Sequence, residues 1–259
     1  MLANYQKSNH FLQKVNPVAK LASLFVVIGF LAFVFDPWTP LCLLIITIMS
    51  ITLLGNIPIR FLLFILLPFT LFAFSFLWIQ VVFPDETGAT ILFHIGSFPV
   101  ALENVMVGLS LGLRSLVFVS WSMLFVLTTE PTKLMLSLIQ NCKLPPRFGY
   151  GVMAAYQFLP MFRQELNQMR TAHRIRGLGK PKGFKERVKE MKRYTVPLLA
   201  SGIRKAERVA IAMESKGFDG GRDRSYYDSI RWTRYDVIYF GGILIVFLSL
   251  YVLRKVYTV

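Results

Sequence analysis

The sequence has little from which to build a metal site, a disulfide framework or a titrating catalytic centre. Its two cysteines sit in unlike surroundings, Cys42 inside an apolar run and Cys142 in a polar turn, so neither a disulfide nor a thiolate ligand set is expected. The three histidines, His10, His94 and His173, are scattered, with no carboxylate or cysteine at ligand spacing beside them. Acidic residues are scarce: 14 Asp and Glu stand against 29 Lys and Arg, for a net charge of +15. Asp36, Asp85 and Glu103 form no pair that would serve acid–base chemistry. No glycine-rich loop ends in Gly-Lys-Ser/Thr, since Gly179-Lys180 is followed by Pro181, and nucleotide binding by that route is excluded. The expectation is a protein with no metal, no cofactor and no catalytic residues of its own.

What is abundant is apolar. Hydrophobic residues make up 54% of the 259-residue chain and mean hydropathy is +0.53, in combination with the strong positive charge. The apolar residues are gathered into blocks at 18–35, 40–54, 61–83, 105–128 and 235–253. Crossing about 30 Å of hydrocarbon at about 1.5 Å per residue takes about 20 residues, so the blocks predict an all-α polytopic membrane protein with about five spans. The second block is short. The first is followed by the bulky run 33–38, with no small-residue cleavage site, and is expected to stay in the protein. The spans are read as containing no acidic residue that would make a proton relay or ion pathway.

Charge predicts orientation. Lys7, Lys14 and Lys20 precede the first span, Arg60 follows the second, and 129–234 holds most of the remaining cations. The alternate loops carry Asp36, Asp85, Glu86 and Glu103 and no Lys or Arg. The positive-inside rule then places the N-terminus and 129–234 in the cytoplasm; only Arg254 and Lys255 run against it. The chain divides into membrane helices at 1–128, a cytoplasmic region with long helices at 129–234, and a last span at 235–259. Trp38, Trp78 and Trp232 fall near span ends, as interfacial aromatics do.

In the fourth block Gly108 and Gly112 are four apart, a spacing that lets membrane helices approach closely. Arg114 lies near its middle. An arginine there costs at least about 3 kcal/mol on insertion scales, so it should face protein, through an ion pair, backbone carbonyls or a second membrane subunit.

Beyond that block, Thr129, Glu130 and Pro131 suit a helix start with Thr129 as cap, and a short amphipathic helix carrying Leu134, Leu138 and Ile139 should follow along the membrane surface. Two long helices come next. The first, from 146 to about 176, carries the apolar stripe Phe158, Phe162, Leu166 and Met169, a kink at Pro160 and a stop at Gly177, reinforced by Gly179 and Pro181. The second, from about 184 to 216, carries Leu199, Ile203, Ala206, Ala210 and Met213, an interruption near Pro197 and a stop at Gly217. At roughly 45–55 Å each, they should present a surface to something else. Their ends repeat one pattern: Ala172, then Arg176-Gly177; Ala212, then Lys216-Gly217. A cation in the last turn complements the helix dipole, and glycine is the usual residue just beyond it.

The segments NPVAKL, GLRSL, LTTEP, LPPRF, QFLPMFRQEL, RIRGLG and AMESKGF, in that order along most of the chain, resemble the transmembrane coupling subunit (T component, EcfT/CbiQ-like) of energy-coupling factor (ECF) transporters, a kind of ATP-binding-cassette (ABC) importer. The resemblance implies a bacterial multi-pass membrane protein and names its partners: two ABC-type ATPase subunits, a small substrate-binding membrane subunit (S component) and the bilayer, with no nucleic acid. It implies that Ile175-Arg176-Gly177 and Ser215-Lys216-Gly217 are the triplets whose cations enter grooves on the ATPases, flanked by Ala172 and Ala212. It also implies that Gly108, Gly112 and Arg114 serve helix packing or contact the S component. The cargo would be a vitamin or related micronutrient. The second triplet departs from the family's arginine, and lysine lacks the planar fork that grips a carboxylate at two points. A membrane-embedded enzyme, a tethered scaffold and a nucleic-acid binder are the alternatives, and no motif favours them.

Overall fold

The structure, a computed structural model, describes residues 10–82, 91–95, 98–177, 183–222 and 225–257. Lys7, Asp85, Glu86, Gly179 and Pro181 lie outside them, as do the side chains of His94 and Arg254. Among the described residues the regular structure is helical apart from one antiparallel hairpin, β1 (Ile91–Ile95) and β2 (Phe98–Ala101), which precedes the longest apolar helix. Two compact units result: residues 1–137 with 230–259, and residues 138–229.

In the first unit, α1 (Phe11–Lys14) leads into α2 (Pro17–Ala32), α3 (Trp38–Leu53), α4 (Ile59–Val82), α5 (Leu102–Thr128) and the start of α6 (Pro131–Asn141); α9 (Arg234–Tyr257) returns to it. Three helices, α4, α5 and α9, are long and apolar enough to cross a membrane. Helices α2 and α3 have 16 residues each, roughly 24 Å, and so fall short of the hydrocarbon thickness. Their connecting turn is therefore recessed. Ser110 Oγ donates to the Asp36 carbonyl at 3.3 Å, and Ser110 lies eight residues into α5, about 12 Å from its start.

Helix α2 starts as its sequence dictates, with Pro17 in the first turn and Asn16 as cap, whose Oδ1 accepts from the Val18 amide at 3.0 Å. The same Asn16 belongs to a buried polar network. Its backbone N–H donates to Asp236 Oδ1 at 2.6 Å, and the Ser137 hydroxyl donates to its Oδ1. Asp236 Oδ2 also accepts from the amide and hydroxyl of Thr233, capping α9. Lys20 Nζ donates to the Thr128 carbonyl at 2.9 Å, at the end of α5. One turn on, Ser23 Oγ meets Tyr239 OH at 2.9 Å and accepts from Trp121 Nε1 at 3.2 Å. Lys20 is 1% exposed and Asp236 0%. Read as a cation preceding the first span, Lys20 instead lies inside α2, and its burial is supported by the carbonyl and by the charge of nearby Asp236.

Around this network, Leu12, Val15, Ala19, Ile51, Leu62, Leu124 and Leu127 form one apolar cluster, and Val27, Leu31, Leu43, Val117 and Trp121 a second. The closest helix pair is α4 with α5. A Cβ on Gly108 would sit 3.0 Å from Leu77 Cα, and one on Gly112 would sit 2.8 Å from the Ala73 carbonyl oxygen. These glycines set the interhelix distance, because any side chain there meets backbone. Gly112→Val should therefore lower the thermal stability of the detergent-solubilised chain by about 1–3 kcal/mol. Gly29→Ala, where an added Cβ meets nothing within 4 Å, should leave it unchanged.

Thr129 does not cap α6. Its hydroxyl is buried without a hydrogen-bond partner; the first backbone bond of the helix runs from Leu134 N–H to the Glu130 carbonyl, and Glu130 accepts from Thr132 Oγ1 at 2.9 Å. The cap position has moved one residue because Thr129 remains packed with the end of α5.

The second unit consists of the end of α6, α7 (Pro146–Ile175), α8 (Phe184–Ser215) and the segment after it. Helices α7 and α8 cross where Phe162 approaches Gly202, at which a Cβ would lie 3.0 Å from Phe162 Cζ. The crossing is pinned by Glu165, which accepts from Ser201 Oγ and from Lys205 Nζ, both at 2.7 Å. Both Pro160 and Pro197 are accommodated inside continuous helices. The apolar stripe of α8 divides: Ala206, Ala210 and Met213 face a groove against α7, whereas Leu199 and Ile203 turn outward, 62% and 60% exposed. Ala206 and Ala210 stay exposed along that groove, and the close approach of the two helices lies at Gly202.

Candidate functional site

The two arms end in the same backbone device. Gly177 and Gly217 take φ +77° and +80°, left-handed values that favour glycine. The Gly177 N–H donates to the Arg174 carbonyl at 3.1 Å, and the Gly217 N–H to that of Glu214 at 2.9 Å. At the second end the Phe218 N–H also returns to the Met213 carbonyl at 2.9 Å, completing a Schellman cap. The chain after this cap is braced against the start of α7: Arg147 Nη2 donates to the Asp219 carbonyl at 2.9 Å, and the Phe218 and Tyr150 rings meet edge to face at 5.5 Å. Nothing in the local sequence pattern pointed to this brace.

Each glycine turns the chain sharply and leaves the preceding cation at a helix tip. Arg176 and Lys216 are exposed, as are Ala172, Ile175, Ala212 and Ser215. Ile175, at 82% exposure, is an apolar side chain left uncovered by the described residues.

The tips are not brought together. Along the arms His173 meets Tyr194, Glu165 meets Ser201 and Lys205, and Phe158 shares a groove with Ala206 and Met213. Residue number rises on α7 as it falls on α8, so the helices run antiparallel and their ends point in opposite directions. Arg176 lies about 16 Å along its helix from the Glu165 clamp and Lys216 about 22 Å from Ser201, a tip-to-tip span of up to about 40 Å. Such an arrangement sets two exposed cations at opposite ends of one clamped helix pair.

The clamp is electrostatic as well as geometric. The hydrogen bond from Lys205, with that from Ser201, holds the Glu165 carboxyl below its ordinary value. A carboxyl depressed in the folded state adds stability above its unfolded pKa of about 4.3 and loses it as pH falls through the lower folded value. Arm rigidity should thus be constant near neutrality and should loosen only below about pH 4, and Glu165→Gln should remove that transition. Distance distributions between spin labels on α7 and α8 would report both.

In the first unit, Gly108 and Gly112 face α4, and Arg114 is 9% exposed. Its guanidinium lies over the Phe35 ring, 4.8 Å from the centroid, within the field of the Asp36 carboxylate. The recessed turn between α2 and α3 thus supplies the protein surface that a mid-helix arginine requires. Among the described residues no group of His, Cys, Asp and Glu could hold a metal ion, and both cysteines are free.

A bundle of apolar helices followed by a pair of crossed polar helices with capped basic ends defines an α-helical polytopic membrane protein. The chain belongs to the CbiQ cobalt transport protein family, whose profile matches residues 8–227. It is 29% identical, over 98% of both chains, to the energy-coupling factor transporter transmembrane protein EcfT of Bacillus subtilis (strain 168). Identity to proteins of the same name is 28% in Macrococcus caseolyticus, over 92% of both chains, and 25% in Lactococcus lactis subsp. cremoris, over 99% of this chain and 98% of the relative.

Proposed function

We propose that this chain is the transmembrane coupling component of an energy-coupling factor importer. In this reading α7 and α8 lie in the cytoplasm and connect two ATP-binding-cassette ATPases to a small membrane subunit that binds a vitamin or related micronutrient. Arg176 enters a groove on one ATPase and Lys216 a groove on the other. The observation that carries the proposal is the pair of matched helix ends, each a cation followed by a left-handed glycine, facing opposite ways on one clamped cross. The names of the relatives and the positive charge of 129–234 support it.

The mechanism follows from rigidity. Two ATPases that close on ATP and open after hydrolysis change the separation of their grooves, and a cation seated in each groove follows. Because α7 and α8 are joined at Glu165, Ser201 and Lys205, tip motion is converted into a change of crossing angle. In this reading the change passes to the substrate-binding subunit through Leu199 and Ile203, a role that their exposure supports. Purification of the tagged chain from its native membrane should bring down two ATPase subunits and a small hydrophobic protein. Recovery of the chain with neither would overturn the assignment.

A further inference from the structure

Within the first unit, a slot of about 370 Å³ runs between α3, α5 and α9, with α1 at its mouth. Leu12, Ser50, Trp121, Gly242, Val246 and Phe247 are among its lining residues, so its walls are almost wholly apolar. In a water-soluble protein such a void would collapse or serve a small ligand. Here it opens on helices that stand in hydrocarbon, and its walls lose dispersion contacts unless something apolar fills it.

Its dimensions name the occupant. On α9 the lining runs from Ile238 to Phe247, about 14 Å of helix, and the hydrocarbon of one leaflet is about 15 Å deep. At about 30 Å³ for a water-sized group, the slot holds about a dozen, most of one acyl chain. The mouth is polar and positive. Phe11, which lines the slot, meets the Tyr235 ring edge to face at 5.7 Å; Lys14 Nζ stands over the same ring, 5.8 Å from its centroid. Lys14 is exposed, as is Arg234 at the start of α9. On the other side His10 and Asn56 are hydrogen-bonded at 3.1 Å, beside Leu54 of the slot. An apolar channel one leaflet deep, beneath an aromatic ring and an exposed ammonium, fits one phospholipid with an anionic headgroup.

We propose that this slot is a binding site for one acyl chain of an anionic phospholipid, whose phosphate rests on Lys14. The site stands independently of the coupling role; the proposed orientation decides only that the leaflet is the cytoplasmic one. A lipid wedged between α9 and α3 would set how closely α9 packs at the end of the bundle where Asp236 and Asn16 meet.

Gly242 gives a clean test, because a Cβ there meets nothing within 4 Å. Gly242→Leu fills the slot without displacing backbone, and Ser50→Leu does so from the opposite wall. The full chain, released from detergent micelles supplied with equal phosphatidylglycerol and phosphatidylcholine, would be weighed by native mass spectrometry. The wild type is expected to retain one lipid, with at least a fivefold preference for phosphatidylglycerol. Gly242→Leu and Ser50→Leu should each cut retention at least fivefold while melting no lower than wild type. Lys14→Glu should erase the headgroup preference and keep phosphatidylcholine binding. Retention of lipid by both filled-slot variants at the wild-type level would overturn the proposal. So would a wild-type chain that retains none, or a purified complex in which a partner's helix crosslinks to position 242 in place of lipid.

Discussion

Arg176→Glu combined with Lys216→Glu should abolish ATPase binding while the chain stays in the membrane at normal abundance. Each tip side chain is exposed, so folding should be indifferent to the changes. Binding should not be. Removing one partner of a desolvated charge contact costs on the order of 2–5 kcal/mol, ~30-fold to ~4,000-fold in affinity, and reversal adds repulsion. Each single variant should leave the opposite tip engaged and so show a partial loss. Co-purification and substrate uptake measure both. Lys216→Arg is the informative conservative change, since it restores the planar fork and should hold or tighten the second contact. Wild-type pull-down and uptake by the double variant would remove the tips from the mechanism.

The second large effect is expected at Asp236, far in sequence from everything it organises. Asp236→Ala leaves the Asn16 and Thr233 amides without their acceptor and Lys20 without its nearby negative charge. Breaking a buried charged network typically costs about 3–5 kcal/mol. Thermal unfolding in detergent should drop by roughly 10 °C. Because Lys20 and Asp236 share one buried field, Lys20→Met with Asp236→Asn should cost less than the two single changes together. Additive effects would mean that they do not interact.

Much of this architecture was legible in the sequence, and the reasons are local. Gly177 and Gly217 announced the helix ends because only glycine accepts the left-handed turn cheaply. The apolar blocks announced α4, α5 and α9 because hydrocarbon thickness fixes their length. What escaped was non-local. Asn16, Lys20, Ser137 and Asp236 come from three segments, the start of α2, α6 and α9, and meet only when the bundle closes, so none of them stands out in the local pattern. Asp236 in particular was passed over as the second residue of an apolar run. Arg114 was readable as a side chain needing a protein partner, but the partner, a turn recessed by the shortness of α2 and α3, depends on comparing helix lengths in three dimensions. The hairpin β1–β2 lay in a stretch read simply as a loop. The division of the α8 stripe between groove and surface needed the crossing point at Gly202.

Cysteine accessibility decides whether the basic tips face ATP-driven partners inside the cell. In a chain with Cys42 and Cys142 replaced by serine, Arg176→Cys and Lys216→Cys would be exposed to a membrane-impermeant maleimide. The account predicts no labelling in intact cells and full labelling after permeabilisation, reduced when the ATPases are bound. Labelling of either position from outside intact cells would contradict it.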